Sequence, residues 1–182
     1  MGHIACIGSR SLSENQIQVC EKIGEWIVHQ GHTLHSGNAP GADQAYARGG
    51  NRIDPSRVYL HLPWPNFERQ AIHRDNVVRT VEDLSSAERL TFSTLATQYH
   101  GAYSRLSQGA KKLIVRNGMI VLPNGPVDLV IALPGDYYYK PHGGGTGQGM
   151  RLAQAHNIDL FNIAYADKQG LWDLCERIRH LG

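Results

Sequence analysis

Several hallmarks of membrane, secreted and redox proteins are missing from this sequence. No apolar run approaches the ~20 residues that a transmembrane helix needs, and the N-terminus lacks the basic segment and apolar core of a secretory leader. The three cysteines, Cys6, Cys20 and Cys175, show no CxxC spacing, which favours reduced thiols over disulfides. We therefore expect a cytoplasmic protein that neither enters a membrane nor is secreted.

The sequence also lacks a concentrated run of basic residues. Its formal net charge is +2, and Lys111, Lys112 and Arg116 form only a short cluster that is typical of a helix end. An electrostatic footprint for duplex nucleic acid is absent, so we do not expect a nucleic-acid partner. The ten histidines lack metal-ligand spacing, and His32 and His35 do not share a strand face. We predict no metal ion and no cofactor.

What the sequence does contain is an alternation of apolar strands and amphipathic helices. A short apolar strand over 4–7 precedes a helical pattern, which a capping box of Ser13 and Gln16 opens and Gly31 closes. Further strands are predicted over 32–36, 57–62, 127–133 and 158–163. In 182 residues this alternation predicts one α/β domain, 1–182, with a Rossmann-like parallel sheet and helices on both faces.

The range 66–122 breaks the alternation. Leu90, Leu95, Leu106 and Leu113 recur there with no clear strand between them, and the composition is largely polar. We therefore expect a helical insertion at about 66–122 that lies beside the sheet.

Three glycine-rich turns each follow a predicted strand and precede a predicted helix. Such turns aim free backbone N–H groups toward the carboxyl edge of the sheet, where they can bind phosphate. The absence of GxGxxG and GxxxxGK[ST] spacing disfavours ordinary NAD-binding and P-loop chemistry. The alternative is that the glycines only form tight turns. We favour a ligand-binding crevice formed by Gly8, Ser9, Arg10, Ser36, Gly37, Asn38, Gly41, Asp43, Gly143, Gly144, Gly145 and Thr146, bordered by His35 and His142.

The order of these turns resembles the SLOG superfamily of Rossmann-like nucleotide-ligand proteins. The resemblance rests on Ile7-Gly8-Ser9-Arg10, on the segment from Ser36 to Asp43, on Leu133-Pro134-Gly135, and on Gly144-Gly145-Thr146 before a helix. It implies a nucleotide or nucleotide-derived ligand above the first, second and fourth predicted strands. The unmatched insertion is similar to the situation in uncharacterised phage and plasmid members of the superfamily.

The SLOG resemblance implies more than one activity, because the superfamily includes both cytokinin-activating phosphoribohydrolases and DNA-processing protein A. The hydrolases carry a glutamate three residues after the threonine of the glycine-rich turn, where this sequence has Gly149. Asp43 and Asp136 remain as candidate catalytic carboxylates, although an acid in a first helical turn, such as Asp43, also has a structural reason to be there.

We therefore predict a protein that senses or sequesters a nucleotide-derived small molecule, such as an ADP-ribose-like compound or a nucleoside monophosphate. The glycine-rich crevice carries this prediction, because binding needs no carboxylate at position 149. One alternative is a hydrolase or transferase that acts on an N-glycosidic bond. Another is a single-stranded DNA-binding protein, and a homo-oligomer stays open.

Overall fold

Strands and helices alternate along the computed structural model, which describes residues 1–135 and 144–181. The strands are β1 (His3–Gly8), β2 (Thr33–Ser36), β3 (Val58–Leu62), β4 (Val77–Thr80), β5 (Leu129–Leu133) and β6 (Asp159–Asn162). The α-helices are α1 (Glu14–His29), α2 (Ala42–Asn51), α3 (Ser86–Tyr99), α4 (Gln108–Val121), α5 (Gly144–Ala155) and α6 (Lys168–Arg179). Among these described helices, none has the length and apolar character to cross a membrane.

The strands form one parallel sheet in the order β4-β3-β2-β1-β5-β6. The chain builds outward from β1 to β4 and then crosses to the other side of β1, where it adds β5 and β6. The pairing of β1 with β5 runs from Ile4 opposite Leu129 to Gly8 opposite Leu133. In sheets of this kind a crevice opens at the carboxyl ends of the strands where the order reverses. The predicted Rossmann-like α/β fold is confirmed.

Alternate residues of β1 point to opposite faces of the sheet and divide the core. Ile4 and Cys6 pack with residues of α1, α2 and α6, whereas Ala5 and Ile7 pack with residues of α4 and α5. Helix α3 packs on α4 in a third apolar group. Because helices cover both faces, the central strands are buried on both sides, as the apolar run of β5 indicates.

Helix α1 begins and ends through the local signals found in the sequence. The Gln16 N–H donates to the Ser13 hydroxyl at 3.3 Å, and the Ser13 N–H donates to the Gln16 side-chain carbonyl at 2.9 Å. Gly31, just past the helix, has φ of +81°, a conformation that favours glycine. The predicted capping box and helix stop are both confirmed.

The range 66–122 differs from the expected helical insertion because it also contains strand β4. Tyr59 of β3 lies opposite Val77, and Leu62 lies opposite Thr80. The strand is short and lies at the sheet edge, with Val77 39% and Val78 42% exposed, so it lacks the buried apolar run of a central strand. Helix α4, from the same range, packs against β1, β2 and β3. The division of the chain into domains stays a prediction.

Candidate functional site

A cavity of about 290 Å³ opens at the carboxyl edge of the sheet, beside the ends of β1 and β5. Its wall is built by the turn after β1, the start of α2, the middle of α4, the segment after β5 and the first turn of α5. The residues predicted from the sequence that line it are Gly8, Ser9, Arg10, Asp43, Gly144, Gly145 and Thr146. The topology therefore brings parts of all three glycine-rich turns to one cavity.

The other predicted residues do not line this cavity or are not described. Ser36 is fully buried, and its hydroxyl donates to the carbonyl oxygen of Cys6 at 2.9 Å, which joins β2 to β1. Asn38 is also buried, and its side-chain amide donates to the Phe67 carbonyl oxygen at 3.2 Å. These two polar groups hold the loop in place. The predictions for Asp136, His142 and Gly143 lie outside the described residues.

Gly37 and Gly41 make space for groups of the protein itself. A Cβ added at Gly37 would overlap Nη1 of Arg116. Gly41 has φ of +91°, and a Cβ there would lie 2.5 Å from the Ser9 carbonyl oxygen. That oxygen accepts a hydrogen bond from the Ala42 N–H at 3.0 Å, so this donor at the start of α2 is used within the protein. The second turn therefore positions Arg116 and the Ser9 backbone.

The prediction that Arg116 lies at a helix end is wrong. Arg116 does not belong to a basic helix end: it lies in the middle of α4, is 4% exposed and lines the cavity. Lys111 and Lys112 lie near the start of α4, where Lys112 pairs with Glu82 at 3.1 Å. The available signal was an arginine followed by an asparagine within the otherwise apolar stretch 113–121.

Arg116 and Asp43 form a buried ion pair in the wall of the cavity. Nη1 of Arg116 donates to Oδ2 of Asp43 at 3.2 Å, and the Ala39 N–H donates to the same oxygen at 3.3 Å. Burial raises the pKa of Asp43, and the Arg116 cation opposes that rise. Burial likewise lowers the pKa of Arg116, and the Asp43 carboxylate opposes that change. Each charge depends on its partner, as in other buried ion pairs.

The side chain of Arg116 also keeps donor capacity. Its Nε is buried and bonds to no atom of the described residues. An unsatisfied buried N–H is rare in native proteins, because it loses its hydrogen bonds to water.

Asn117 connects α4 to the start of α5. Its side-chain amide donates to the carbonyl oxygen of Gly145 at 3.3 Å and to Oε1 of Gln148 at 3.0 Å. Asn117 lines the cavity together with Gly145 and Thr146. These bonds hold the first turn of α5, whose N-terminal partial positive charge is suited to an anion, against the cavity.

His35 does not border the cavity as expected. It lies in a hydrogen-bonded row of three histidines, 2.9 Å from His3 and 3.0 Å from His61 between ring nitrogens. Burial, together with His3, lowers the pKa of His35 to about 3. Because the imidazole is neutral near pH 7, it cannot bind phosphate as a cation. Within the described part of the chain, no cluster of three or more His, Cys, Asp or Glu side chains could hold a metal ion.

A parallel sheet with this strand order and a cavity at its reversal point defines a Rossmann-like α/β protein. Among solved structures, the chain is similar to DNA processing protein A from Helicobacter pylori, a protein with a single-stranded DNA binding mode, at a TM-score of 0.62 and 18% identity. The similarity covers 100% of this chain and 74% of that one. No family model matches the sequence, and no curated protein matches it.

A second similar structure is DNA processing protein A from Streptococcus pneumoniae. Its TM-score is 0.53 at 15% identity, over 96% of this chain and 56% of the other. Likeness at these identities shows the fold. The SLOG resemblance beyond the Rossmann-like fold, and the nearness to phage and plasmid members, stay predictions.

Proposed function

We propose that this chain binds a nucleotide-derived small molecule through its phosphate group, in the cavity beside β1 and β5. The observation that carries the proposal is the position of Arg116, which lines the cavity together with Arg10 and is 4% exposed. A guanidinium donates several hydrogen bonds in a fixed geometry that suits phosphate oxygens. A phosphate in the cavity would lie beside both guanidinium groups and beside the first turn of α5.

The charge distribution around the cavity supports an anionic ligand. Asp43 neutralises Arg116, but Arg10 lines the same cavity from an exposed position and adds a second cation. The N-terminus of α5 adds a partial positive charge, and Thr146 at that terminus adds a hydroxyl donor. The Ser9 N–H donates to the Leu133 carbonyl oxygen at 2.8 Å and is therefore already used. Over the described residues, the net charge of the wall is positive.

We propose binding rather than cleavage of an N-glycosidic bond. Gly149 occupies the position at which the related hydrolases carry glutamate, and a Cβ there would lie 2.7 Å from Cδ1 of Ile7 in the core. A side chain at position 149 would therefore require Ile7 to move, and the glycine itself supplies no carboxylate. Oδ2 of Asp43 is engaged by Arg116 and by the Ala39 N–H, so this carboxylate already has a structural role in the wall. A sensing or sequestering protein fits these residues better than a hydrolase or transferase.

A second candidate function is single-stranded DNA binding, for which the fold is the support. The likeness to the Helicobacter pylori protein covers the whole of this chain. In that case the same cavity would take one phosphate of the strand, and aromatic side chains would stack on the bases. This candidate replaces the expectation that a nucleic-acid partner is absent.

Calorimetric titration with inorganic phosphate, AMP, ADP-ribose and an oligothymidylate tests the proposal. We expect a small nucleotide to bind, and Arg10→Gln to weaken it about tenfold to a hundredfold, as for loss of a charge-assisted hydrogen bond. Arg74→Gln is the matched control, because Arg74 is an exposed arginine outside the cavity. Equal weakening by both variants would indicate a general charge effect and contradict the site.

Chromatography of each titrated mixture tests the absence of turnover. We expect AMP and ADP-ribose to be recovered intact. Release of free base at an enzymatic rate would favour the hydrolase. Binding of the oligothymidylate alone would favour the second candidate.

A further inference from the structure

We infer that Asp43 makes the cavity selective for a phosphorylated ligand that also carries a free sugar hydroxyl, as a ribonucleotide-type small molecule does. This inference rests on the proposed function, because it takes the phosphate to lie in the same cavity. The wall of the cavity contains charges of both signs. The wall of a cavity suited to an anion contains the carboxylate of Asp43 beside Arg116 and Arg10.

The hydrogen bonds of Asp43 leave one of its oxygens available. Within residues 1–135 and 144–181, the bonds from Arg116 and from the Ala39 N–H both end on Oδ2. A carboxylate has about four lone-pair sites on its two oxygens, so Oδ1 keeps its capacity to accept. Asp43 is 6% exposed and lines the cavity, so a group bound there meets a carboxylate that is largely shielded from water.

A fully ionised phosphate group cannot use this acceptor. It carries no hydrogen and only accepts hydrogen bonds, and two negative groups repel each other most strongly where water is excluded. A hydroxyl group donates, and its hydrogen bond to a carboxylate is of the strong, charge-assisted kind. Among the described residues, the wall therefore offers donors at Arg116, Arg10 and the start of α5, and a strong acceptor at Asp43. A ribose phosphate carries the complementary set.

This acceptor separates the two candidate ligands. A nucleotide within a DNA strand has no 2′-hydroxyl, and its 3′-oxygen is esterified, so its sugar has no donor for Asp43. A free ribonucleotide offers both hydroxyls. The cavity is therefore expected to take a free small molecule in preference to an internal nucleotide of a DNA strand.

A series of ligands tests the inference on the unmodified chain. Inorganic phosphate, AMP, 2′-deoxy-AMP, 3′-deoxy-AMP and 2′,3′-dideoxy-AMP are titrated calorimetrically. We expect AMP to bind at least about tenfold more tightly than the dideoxy compound, because a hydrogen bond to a charged group is lost. Equal affinities would overturn the role of Asp43 and leave phosphate binding intact. If none of the compounds binds, inorganic phosphate included, the proposed function itself fails.

The variant Asp43→Asn tests the residue directly, since it keeps the shape of the side chain and removes the charge. We expect the preference for AMP over 2′,3′-dideoxy-AMP to shrink. At about pH 8, where its phosphate is fully ionised, we expect the affinity for the dideoxy compound to rise, because Arg116 is no longer neutralised. Asp75→Asn, on the surface, is the control and should change neither quantity. An unchanged preference in folded Asp43→Asn would overturn the inference. If that variant does not fold, the ligand series decides alone.

Discussion

Arg116 and Asp43 form a buried ion pair that joins the middle of helix α4 to the first turn of helix α2. Nη1 of Arg116 lies 3.2 Å from Oδ2 of Asp43, and the two side chains are 4% and 7% exposed. The residues are 73 positions apart in the sequence. Both line the cavity, so one contact supports the packing of the two helices and the proposed phosphate site.

Arg116→Met should lower the free energy of unfolding by about 3–5 kcal/mol, because Asp43 is left as an unpaired buried charge. Urea denaturation followed by circular dichroism measures the change. Arg74→Met, at a side chain that is 89% exposed, should stay within about 0.5 kcal/mol of the wild type. The double variant Arg116→Met with Asp43→Asn should recover part of the loss. A double variant less stable than Arg116→Met would contradict the ion-pair explanation.

Gly37→Ala should displace the Arg116 guanidinium, because a Cβ at this position overlaps Nη1 and lies 2.7 Å from Oδ2 of Asp43. We expect the affinity for inorganic phosphate, measured by calorimetry, to fall at least about tenfold. Gly109→Ala in the first turn of α4 is the control, since its Cβ would be 3.9 Å from the nearest atom of Trp64. The control should bind normally and gain up to about 1 kcal/mol in stability. Normal phosphate binding by folded Gly37→Ala would contradict the role of Arg116 in the phosphate site.

Stability should fall as the pH is lowered through the range below the ordinary histidine pKa of about 6.5. The pKa of His35 is about 3 in the folded chain, so the unfolded chain takes up the proton first and is favoured at lower pH. The stability is therefore fully present above about pH 6.5 and is lost toward pH 3. At about pH 5 the free energy of unfolding should be about 2 kcal/mol below its value near neutrality, from His35 alone.

Urea denaturation at about pH 7.5 and about pH 5 measures this dependence. Burial also lowers the pKa of His61, which adds to the effect in the same direction. His35→Gln should flatten the dependence, and His73→Gln, at an exposed histidine, should leave it unchanged. A dependence that survives His35→Gln at full strength would show that another group causes it.

Asn117→Ala should weaken AMP binding, because the first turn of α5 loses the side-chain bonds to Gly145 and Gln148. The free energy of unfolding should fall by about 1–3 kcal/mol, since buried acceptors lose their donor. Asn162→Ala is a control for the effect of lost stability. This substitution removes an N-cap bond to the Ala164 N–H, worth about 1 kcal/mol, and Asn162 does not line the cavity. Calorimetry should show normal AMP binding for Asn162→Ala, and weakened binding there would mean that lost stability alone explains the effect.

Much of the fold could be predicted because its signals are local. The Ser13 and Gln16 capping box acts within one turn of helix, and the apolar run 127–133 marks a buried central strand without reference to its neighbours. Strand β4 was not predicted, because it has only four residues and lies at the edge of the sheet, where Val77 and Val78 are partly exposed. A short, half-exposed strand has no periodicity long enough to detect.

The candidate site, like the fold, could be predicted only in part from the sequence. The sequence by itself determined the glycine-rich turns, because glycine is required where backbone or side chains approach closely. It also placed Gly8 and Arg10 at the end of the first strand and Thr146 at the start of a helix, and all three line the cavity. Only the tertiary structure decided that Gly37 makes room for Arg116 and that Arg116 meets Asp43. The physical reason is that the meeting of α2 and α4 depends on the order of strands in the sheet. That order depends on packing between distant segments, so it cannot be predicted from the spacing of neighbouring residues.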